Sequence, residues 1–317
     1  MNKIMIIDML NMYFRAYIVD PSLSTNGQPI GGIKGTLKIM QKMLREMKPS
    51  QVYLCWDGRQ GSSKRKKVNS NYKEGRKPLK LNRSYDNLTD DQQLKNMIWQ
   101  QTRLIEYFNS MPFCQIMIEH TEADDVIGFL CNQLKGKNKM IISSDKDFFQ
   151  LLDDTTILYR PIQKELLNKY DIIEKNKIHP RNYTLARSMV GDKSDNIEGI
   201  RGIGMKSLSK KFPILSEDRD VTIDEFIGEC KKSTSNLKIY TNIIENEKKI
   251  RENYSIMQLY NVNISPQSAT HIRNCVKNYP YDFNKTEVMK MMLQDGFAEI
   301  KWDSMFAQCR FIGKGEK

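Results

Sequence analysis

Nine acidic residues stand where carboxylates could do chemistry together: Asp8, Asp57, Glu122, Asp124, Asp125, Asp145, Asp147, Asp192 and Asp195. Gathered in one place they would repel one another, and such a cluster persists only if cations neutralise it. Oxygen donors with no thiol or imidazole among them select hard ions, Mg²⁺ or Mn²⁺. The spacing permits this. Glu122 and Asp125 share a helix face at i, i+3, as do Asp192 and Asp195 in a helical turn, and Asp145 and Asp147 share a side if extended. Each acid alone also fits a plainer role, because strand-end aspartates often cap the next helix and Thr121-Glu122-Ala123-Asp124 reads as a helix start. Capping does not explain why acids recur at four strand ends and again in Gly191-Asp192-Lys193-Ser194-Asp195-Asn196.

The elements that must position these acids follow from the apolar pattern. Residues 3–8 and 51–57 are short apolar runs rich in β-formers, each ending on an aspartate, and 113–118 and 139–143 are two more. Between the first two, Ile33, Leu37, Met40, Met43, Leu44 and Met47 recur at helical spacing. A helix of about fifteen residues is expected from near Thr121. Strands alternating with helices predict a parallel α/β sheet covered on both faces. The ligand crevice of such a sheet lies at the carboxyl ends of its strands, where the order reverses. Asp8, Asp57 and Asp145 fall at such ends. From about residue 170 the chain reads as mostly helical, with amphipathic segments such as 237–252.

Two further stretches break the pattern. Between residues 58 and 83, ten basic residues (Arg59, Lys64, Arg65, Lys66, Lys67, Lys73, Arg76, Lys77, Lys80 and Arg83) are opposed only by Glu74. No apolar period runs through 58–90, so this reads as a long excursion from the sheet, mobile until a polyanion neutralises it; its plainer reading is a disordered loop giving only nonspecific attraction. The turn Gly199-Ile200-Arg201-Gly202-Ile203-Gly204 is no nucleotide-binding loop, since Met205 separates its last glycine from Lys206. It fits a helix-hairpin-helix turn whose backbone approaches a phosphate, with Lys206, Lys210 and Lys211 beside it, or a tight helix-helix turn with no ligand.

Across 317 residues, 50 Lys and Arg oppose 38 Asp and Glu, a net charge of +12 that favours a polyanionic partner. The cysteines are scattered without Cys-x-x-Cys pairing, which argues against a zinc site and for reduced thiols. Asp8 and Asn11 interrupt the first apolar run, so neither an export signal nor a membrane span is expected. His120, His179 and His271 read as surface or packing residues.

Taken in order, the motifs resemble the 5′-nuclease superfamily of flap endonucleases, phage 5′-to-3′ exonucleases and the 5′-nuclease domain of bacterial DNA polymerase I. The matching stretches are Ile7-Asp8 with Phe14-Arg15-Ala16-Tyr17, Trp56-Asp57-Gly58, Tyr72-Lys73 with Arg76, and Glu122-Ala123-Asp124-Asp125-Val126-Ile127-Gly128. They continue in Ser143-Ser144-Asp145-Lys146-Asp147-Phe148, Gln150-Leu151, and Gly191-Asp192-Lys193-Ser194-Asp195-Asn196 running into the glycine turn. The resemblance covers about two-thirds of the chain. It implies a PIN-like parallel sheet flanked by helices, a helical arch and a helical helix-hairpin-helix DNA-binding portion. The corresponding division is a catalytic domain at 1–175, carrying the basic arch at 58–90, and a helical region with a C-terminal extension at 176–317.

The resemblance also assigns roles. Asp8, Asp57, Glu122, Asp124 and Asp145 would surround one Mg²⁺ or Mn²⁺, and Asp125, Asp147, Asp192 and Asp195 would hold or orient a second, for phosphodiester hydrolysis by ions about 4 Å apart. Lys73 and Arg76 would touch the scissile phosphate. Arg15, Lys64, Arg65, Lys66, Lys67, Tyr72, Lys77, Gly202, Gly204, Lys206 and Lys210 would meet the nucleic acid, with K⁺ a further expectation at the carbonyls of the turn. Pro more often stands in the family where Arg201 and Met205 stand here. The expected substrates are branched, flapped or nicked DNA and RNA–DNA hybrid, cut by a monomer in a bacterial or phage-infected cytoplasm, with a single-strand binding protein or clamp as candidate partners. Two rival readings are a PIN ribonuclease, which would use Asp8, Glu122 and Asp145 but neither arch nor turn, and a non-catalytic nucleic-acid-binding module.

Overall fold

The computed structural model describes residues 3–75, 88–233, 237–299 and 301–314. Its centre is a six-stranded sheet of β1 (Ile4–Asp8), β2 (Gln51–Trp56), β3 (Cys114–Met117), β4 (Lys139–Ile142), β5 (Thr156–Arg160) and β6 (Glu165–Leu167). The spatial order is β3-β2-β1-β4-β5-β6, parallel throughout except for antiparallel β6 at one edge. The chain leaves β1 toward β2 on one side and resumes with β4 on the other. The order therefore reverses between β1 and β4, and the crevice of an open α/β sheet opens there. All four expected strands are present; β5 and β6 are additional.

β1 shows why such strands carry no polar alternation. Met5 and Ile7 enter one core and Ile4 and Ile6 the other, because both faces are covered. On the first face pack α1 (Met9–Val19), α2 (Gly31–Met47) and α4 (Asp90–Asn109), with α3 (Ser63–Val68) in the chain between α2 and α4. On the second packs α5 (Ala123–Gln133), shorter than the expected fifteen residues. Then follow α6 (Lys169–Asn176), α7 (Pro180–Val190), the two-stranded hairpin of β7 (Gly191–Asp192) and β8 (Ile197–Glu198), α8 (Met205–Lys211), α9 (Ile223–Lys232), α10 (Lys238–Glu245) and α11 (Glu247–Met257). A third apolar cluster joins α7 to α11 through Leu185, Leu208, Phe226, Ile243 and Ile250.

The last helices are α12 (Pro266–Asn278), α13 (Lys285–Gln294) and α14 (Asp303–Cys309). They return to the sheet: Ile272 joins the second core, while Val288, Met292, Trp302 and Phe306 join the first. The expected division at 175/176 thus does not coincide with a division of the core. An apolar face on a late helix carries no label saying which earlier element it covers.

Candidate active site

The acids reach the crevice by local rules. Asp8 ends β1 and caps α1, accepting from the Asn11 amide at 3.1 Å, while the Ser143 hydroxyl beyond β4 donates to it at 2.9 Å across the switch point. Ser143 also accepts from the Asp145 amide at 3.1 Å, and Asp145 accepts from the Asp147 amide at 2.8 Å. Asp145 and Asp147 are therefore set by a tight turn, so the extended arrangement that would put them on one side does not apply. Asp57, just beyond β2, accepts from the Ala123 amide at 2.7 Å and ties that strand end to the start of α5, where Glu122, Asp124 and Asp125 cluster. Gly58 is required here: a Cβ on it would lie 1.7 Å from the Ile118 carbonyl oxygen. Asp192 and Asp195 lie in the β7–β8 hairpin and not in a helical turn, since Gly191 takes a φ of +78° that only glycine adopts at little cost.

Electrostatics sets this crevice apart from a row of helix caps. Loss of water pushes Asp8 up to about 7, with Asp57 and Asp145 adding repulsion. Asp147 rises to about 7, first by desolvation and then by Asp145. Desolvation also raises Asp57, Asp124 and Asp145, reinforced by neighbouring acids. Uncompensated negative charge is concentrated here, as a cation site requires.

Protein cations answer part of that charge. Arg65, from α3, lies buried with its guanidinium on Glu122 at 2.9 Å and in two contacts with Asp125 at 2.8 and 2.9 Å, and its Nε donates to the Ile256 carbonyl at 2.9 Å. The Tyr72 hydroxyl donates to Glu122 and Asp195 at 3.1 and 3.2 Å, and Lys73 meets Glu122 at 2.8 Å. Against desolvation, Arg65 and Lys73 hold Glu122 below the usual carboxylate range. Arg187 joins Asp192 and lies 3.6 Å from Asp147. Among the described residues no three acids are already gathered around one point as an ion cage. With Arg65, Lys73 and Arg187 among them, the carboxylates are spread over protein cations.

Two expected nucleic-acid contacts are thereby corrected: Arg65 and Tyr72 are buried and bonded to acids, not displayed to a strand. Counting basic residues finds a positive segment but cannot tell which of its side chains turn inward. The expected featureless stretch is also corrected for 58–75, which forms turns and α3. Its tip docks through the Lys73 amide on the Asp195 carbonyl at 2.9 Å and Asn196 on the Asn71 carbonyl at 2.9 Å. Lys73 sits at φ +56°, a left-handed backbone costing a non-glycine residue about 1–2 kcal/mol. Lys64 donates to the Asn263 carbonyl; Lys66, Lys67, Gly202, Lys206 and Lys210 are exposed, and Arg15 is half-buried. The Gly204 amide, expected to face a phosphate, donates to Ser207 Oγ at 3.0 Å. Arg76 and Lys77 lie outside the described residues. Sequence reasoning missed Arg187 and Ser143; the available signal for Arg187 was its place one turn before Gly191-Asp192 on the exit helix.

An α/β sheet with an acid-filled crevice at its switch point is the architecture of a PIN-like nuclease. The family described as the 5′-3′ exonuclease, N-terminal resolvase-like domain, matches residues 3–179. The chain is 31% identical over 217 residues to a 5′-3′ exonuclease of Buchnera aphidicola subsp. Schizaphis graminum, covering 66% of this chain and 70% of that one. It is 28% identical over 215 residues to the 5′-3′ exonuclease of Aquifex aeolicus, covering 65% and 68%. With the DNA polymerase I of Caldicellulosiruptor bescii it shares 34% identity over 217 residues, 66% of this chain but only 24% of that enzyme. The fold matches the D15 protein of T5, crystallised with metal ions, at a TM-score of 0.65 and 17% identity over 93% of this chain and 98% of that one. This chain belongs to the 5′-3′ exonuclease family.

Proposed function

We propose that the chain hydrolyses phosphodiester bonds near 5′ ends of branched, flapped or nicked DNA and of RNA–DNA hybrids, with two divalent cations, Mg²⁺ or Mn²⁺, held by the crevice acids. The observation that carries this reading is the set of carboxylates gathered at the β1/β4 switch point, raised first by loss of water and then by one another. An all-oxygen donor set fits a hard ion. Asp8, Asp57, Glu122, Asp124 and Asp145 would hold one ion, and Asp125, Asp147, Asp192 and Asp195 would hold or orient the other. Such ions activate water, neutralise charge gathering on the phosphate and stabilise the leaving oxygen.

The chain's own residues supply position and access. Ser143 and the Ala123 amide fix Asp8 and Asp57, so these two acids cannot swing apart as charge accumulates. Lys73, tethered over Glu122, would exchange that partner for the scissile phosphate, with Arg76 beside it. Lys66 and Lys67 would track single strand, and Gly202, Lys206 and Lys210 duplex backbone, with K⁺ at the glycine turn. A DNA substrate is supported by a neighbour in fold, the T5 D15 flap endonuclease, solved as a pseudo-enzyme–product complex with DNA and metal ions. Division of labour between a catalytic portion at 1–175 and a DNA-binding portion at 176–317, action as a monomer in the cytoplasm, and engagement of a single-strand binding protein or clamp belong to the same proposal. Among the described residues, no helix is long and apolar enough to cross a membrane.

The test is one gel assay comparing 5′-flap, blunt duplex, RNA-primed and single-stranded RNA substrates, with and without Mg²⁺. Flap and RNA-primed substrates should be cut first and only with the ion. Preference for single-stranded RNA would favour the PIN ribonuclease reading, and binding without cutting the non-catalytic one.

A further inference from the structure

The two buried arginines of the crevice are bonded differently. Arg65 is saturated: its Nε donates to the Ile256 carbonyl and its two terminal nitrogens to Glu122 and Asp125. Arg187, in the last turn of α7, is not. Its Nη1 donates to the Gly191 carbonyl at 3.0 Å, while its own carbonyl accepts from the Gly191 amide that closes the helix. Its Nη2 joins Asp192 of the β7–β8 hairpin and lies 3.6 Å from Asp147, on the short turn that follows β4. One nitrogen thus stands between two carboxylates carried by different elements. Its Nε is buried with no hydrogen-bond partner among the described residues. An orphaned buried donor is rare and calls for a reason. A guanidinium kept only to brace a helix end would use its whole rigid fork, as Arg65 does.

We propose that Arg187 is a positioning residue that keeps the place of the second ion: with no ion bound its Nη2 holds Asp147 and Asp192 together, and it withdraws from them as the ion enters. This rests on the two-ion reading above, in which both acids serve the second ion. The exchange leaves the two acids neutralised throughout, so they never face each other without a cation between them. Little opposes withdrawal, because the Asp147 contact is already long and Nε has no acceptor to give up. The bond to the Gly191 carbonyl keeps the displaced side chain at the rim. A cation lodged among an ion's ligands competes with that ion. Of the acids assigned to the first ion, Asp8, Asp57 and Asp145 are held instead by amides and a hydroxyl. The second ion should therefore bind more weakly than the first, by an amount that Arg187 sets.

The experiment titrates the full chain with Mn²⁺, reading free ion by paramagnetic resonance, and takes thermal midpoints in chelator and in Mn²⁺ for wild type, Arg187→Gln and Arg187→Lys. Wild type should bind one ion tightly and a second more weakly. Arg187→Gln should tighten the weaker site about tenfold, the scale on which partners just outside a metal's ligands act. It should melt below wild type in chelator, where Asp147 and Asp192 are left facing each other, and recover in Mn²⁺. Arg187→Lys keeps the charge and should bind the second ion as wild type does. In wild type itself, the nitrogen resonance of Arg187 Nε should shift with the second equivalent of Mg²⁺ and not with the first, a readout that needs no substitution. A second site unchanged or weaker in Arg187→Gln, a midpoint equally low with and without ion, or an Nε resonance indifferent to the second equivalent would make Arg187 a plain brace and overturn the inference alone. Fewer than two ions bound by wild type would overturn the two-ion reading and the inference with it.

Discussion

Asp145 sits at the junction of the two groups of acids, repelled by Asp192 and Asp195 and fixed by the Asp147 amide. Asp145→Asn should slow cleavage more than about a hundredfold, because even outer-shell partners of a metal site are typically worth 10–100-fold. Substrate binding should hold or improve as repulsion of phosphate falls. Asp195→Asn should cost less, about tenfold, as it shares its load with Tyr72; single-turnover rates and filter binding on both variants check the ranking, and equal losses would refute it. The raised acids also fix a pH dependence. Asp8 and Asp147 keep protons up to about 7 in the fold, whereas their ordinary value is 3.8. The unfolded chain has lost those protons earlier, so without divalent ions stability should fall as pH rises from about 4 to about 7 and then level off. Mg²⁺ needs ionised carboxylates and should stabilise most above that range. Thermal midpoints in chelator and in Mg²⁺ test this; stability rising with pH in chelator would contradict it. Asp8 and Asp57 were legible because each closes a strand-like run, and Asp145 because it follows one within two residues. Their partners were not, since a basic residue's count says nothing of which way its side chain turns.

At the scale of elements, the segment 58–75 is fastened from below. Arg65 joins α3 to the start of α5 and the end of α11, and Tyr72 packs with Ile197, Ile256 and Met257. Arg65→Ala should destabilise by about 3–5 kcal/mol, because it leaves buried carboxylates unpaired, and Mg²⁺ should recover part of the loss. Hydrogen exchange reads the same claim: amides around α3 and Lys73 should be protected in the free protein and exposed in Arg65→Ala. Rapid exchange in wild type would restore the passive-loop reading. The strand runs and α2 were readable from periodicity, whereas α1 was not, because it follows β1 without a break and both are apolar. The hairpin carrying Asp192 and Asp195 was misread as helical because i, i+3 spacing describes a tight turn equally well, and only Gly191's backbone separates them.

For the whole molecule, the C-terminal helices belong to the sheet's core as much as the crossover helices do. Phe306→Ala, at a side chain buried against α2 and α4's core, should cost about 3–5 kcal/mol and lower the unfolding of the sheet itself; a separate early transition sparing the sheet would show an independent C-terminal unit. The net charge of +12 spreads binding over many phosphates, so Lys206→Ala should weaken all sequences alike and lower the salt slope by about one unit. A changed sequence preference in filter binding would count against that. Everything above turns on the crevice at the β1/β4 switch point being a divalent-ion nuclease site. Single-turnover cleavage of a labelled 5′-flap by wild type and Asp145→Asn, each with Mg²⁺ and with chelator, tests it most directly. Product should form from wild type with Mg²⁺ alone; cutting in chelator, or by Asp145→Asn near the wild-type rate, would show that the crevice is not such a site.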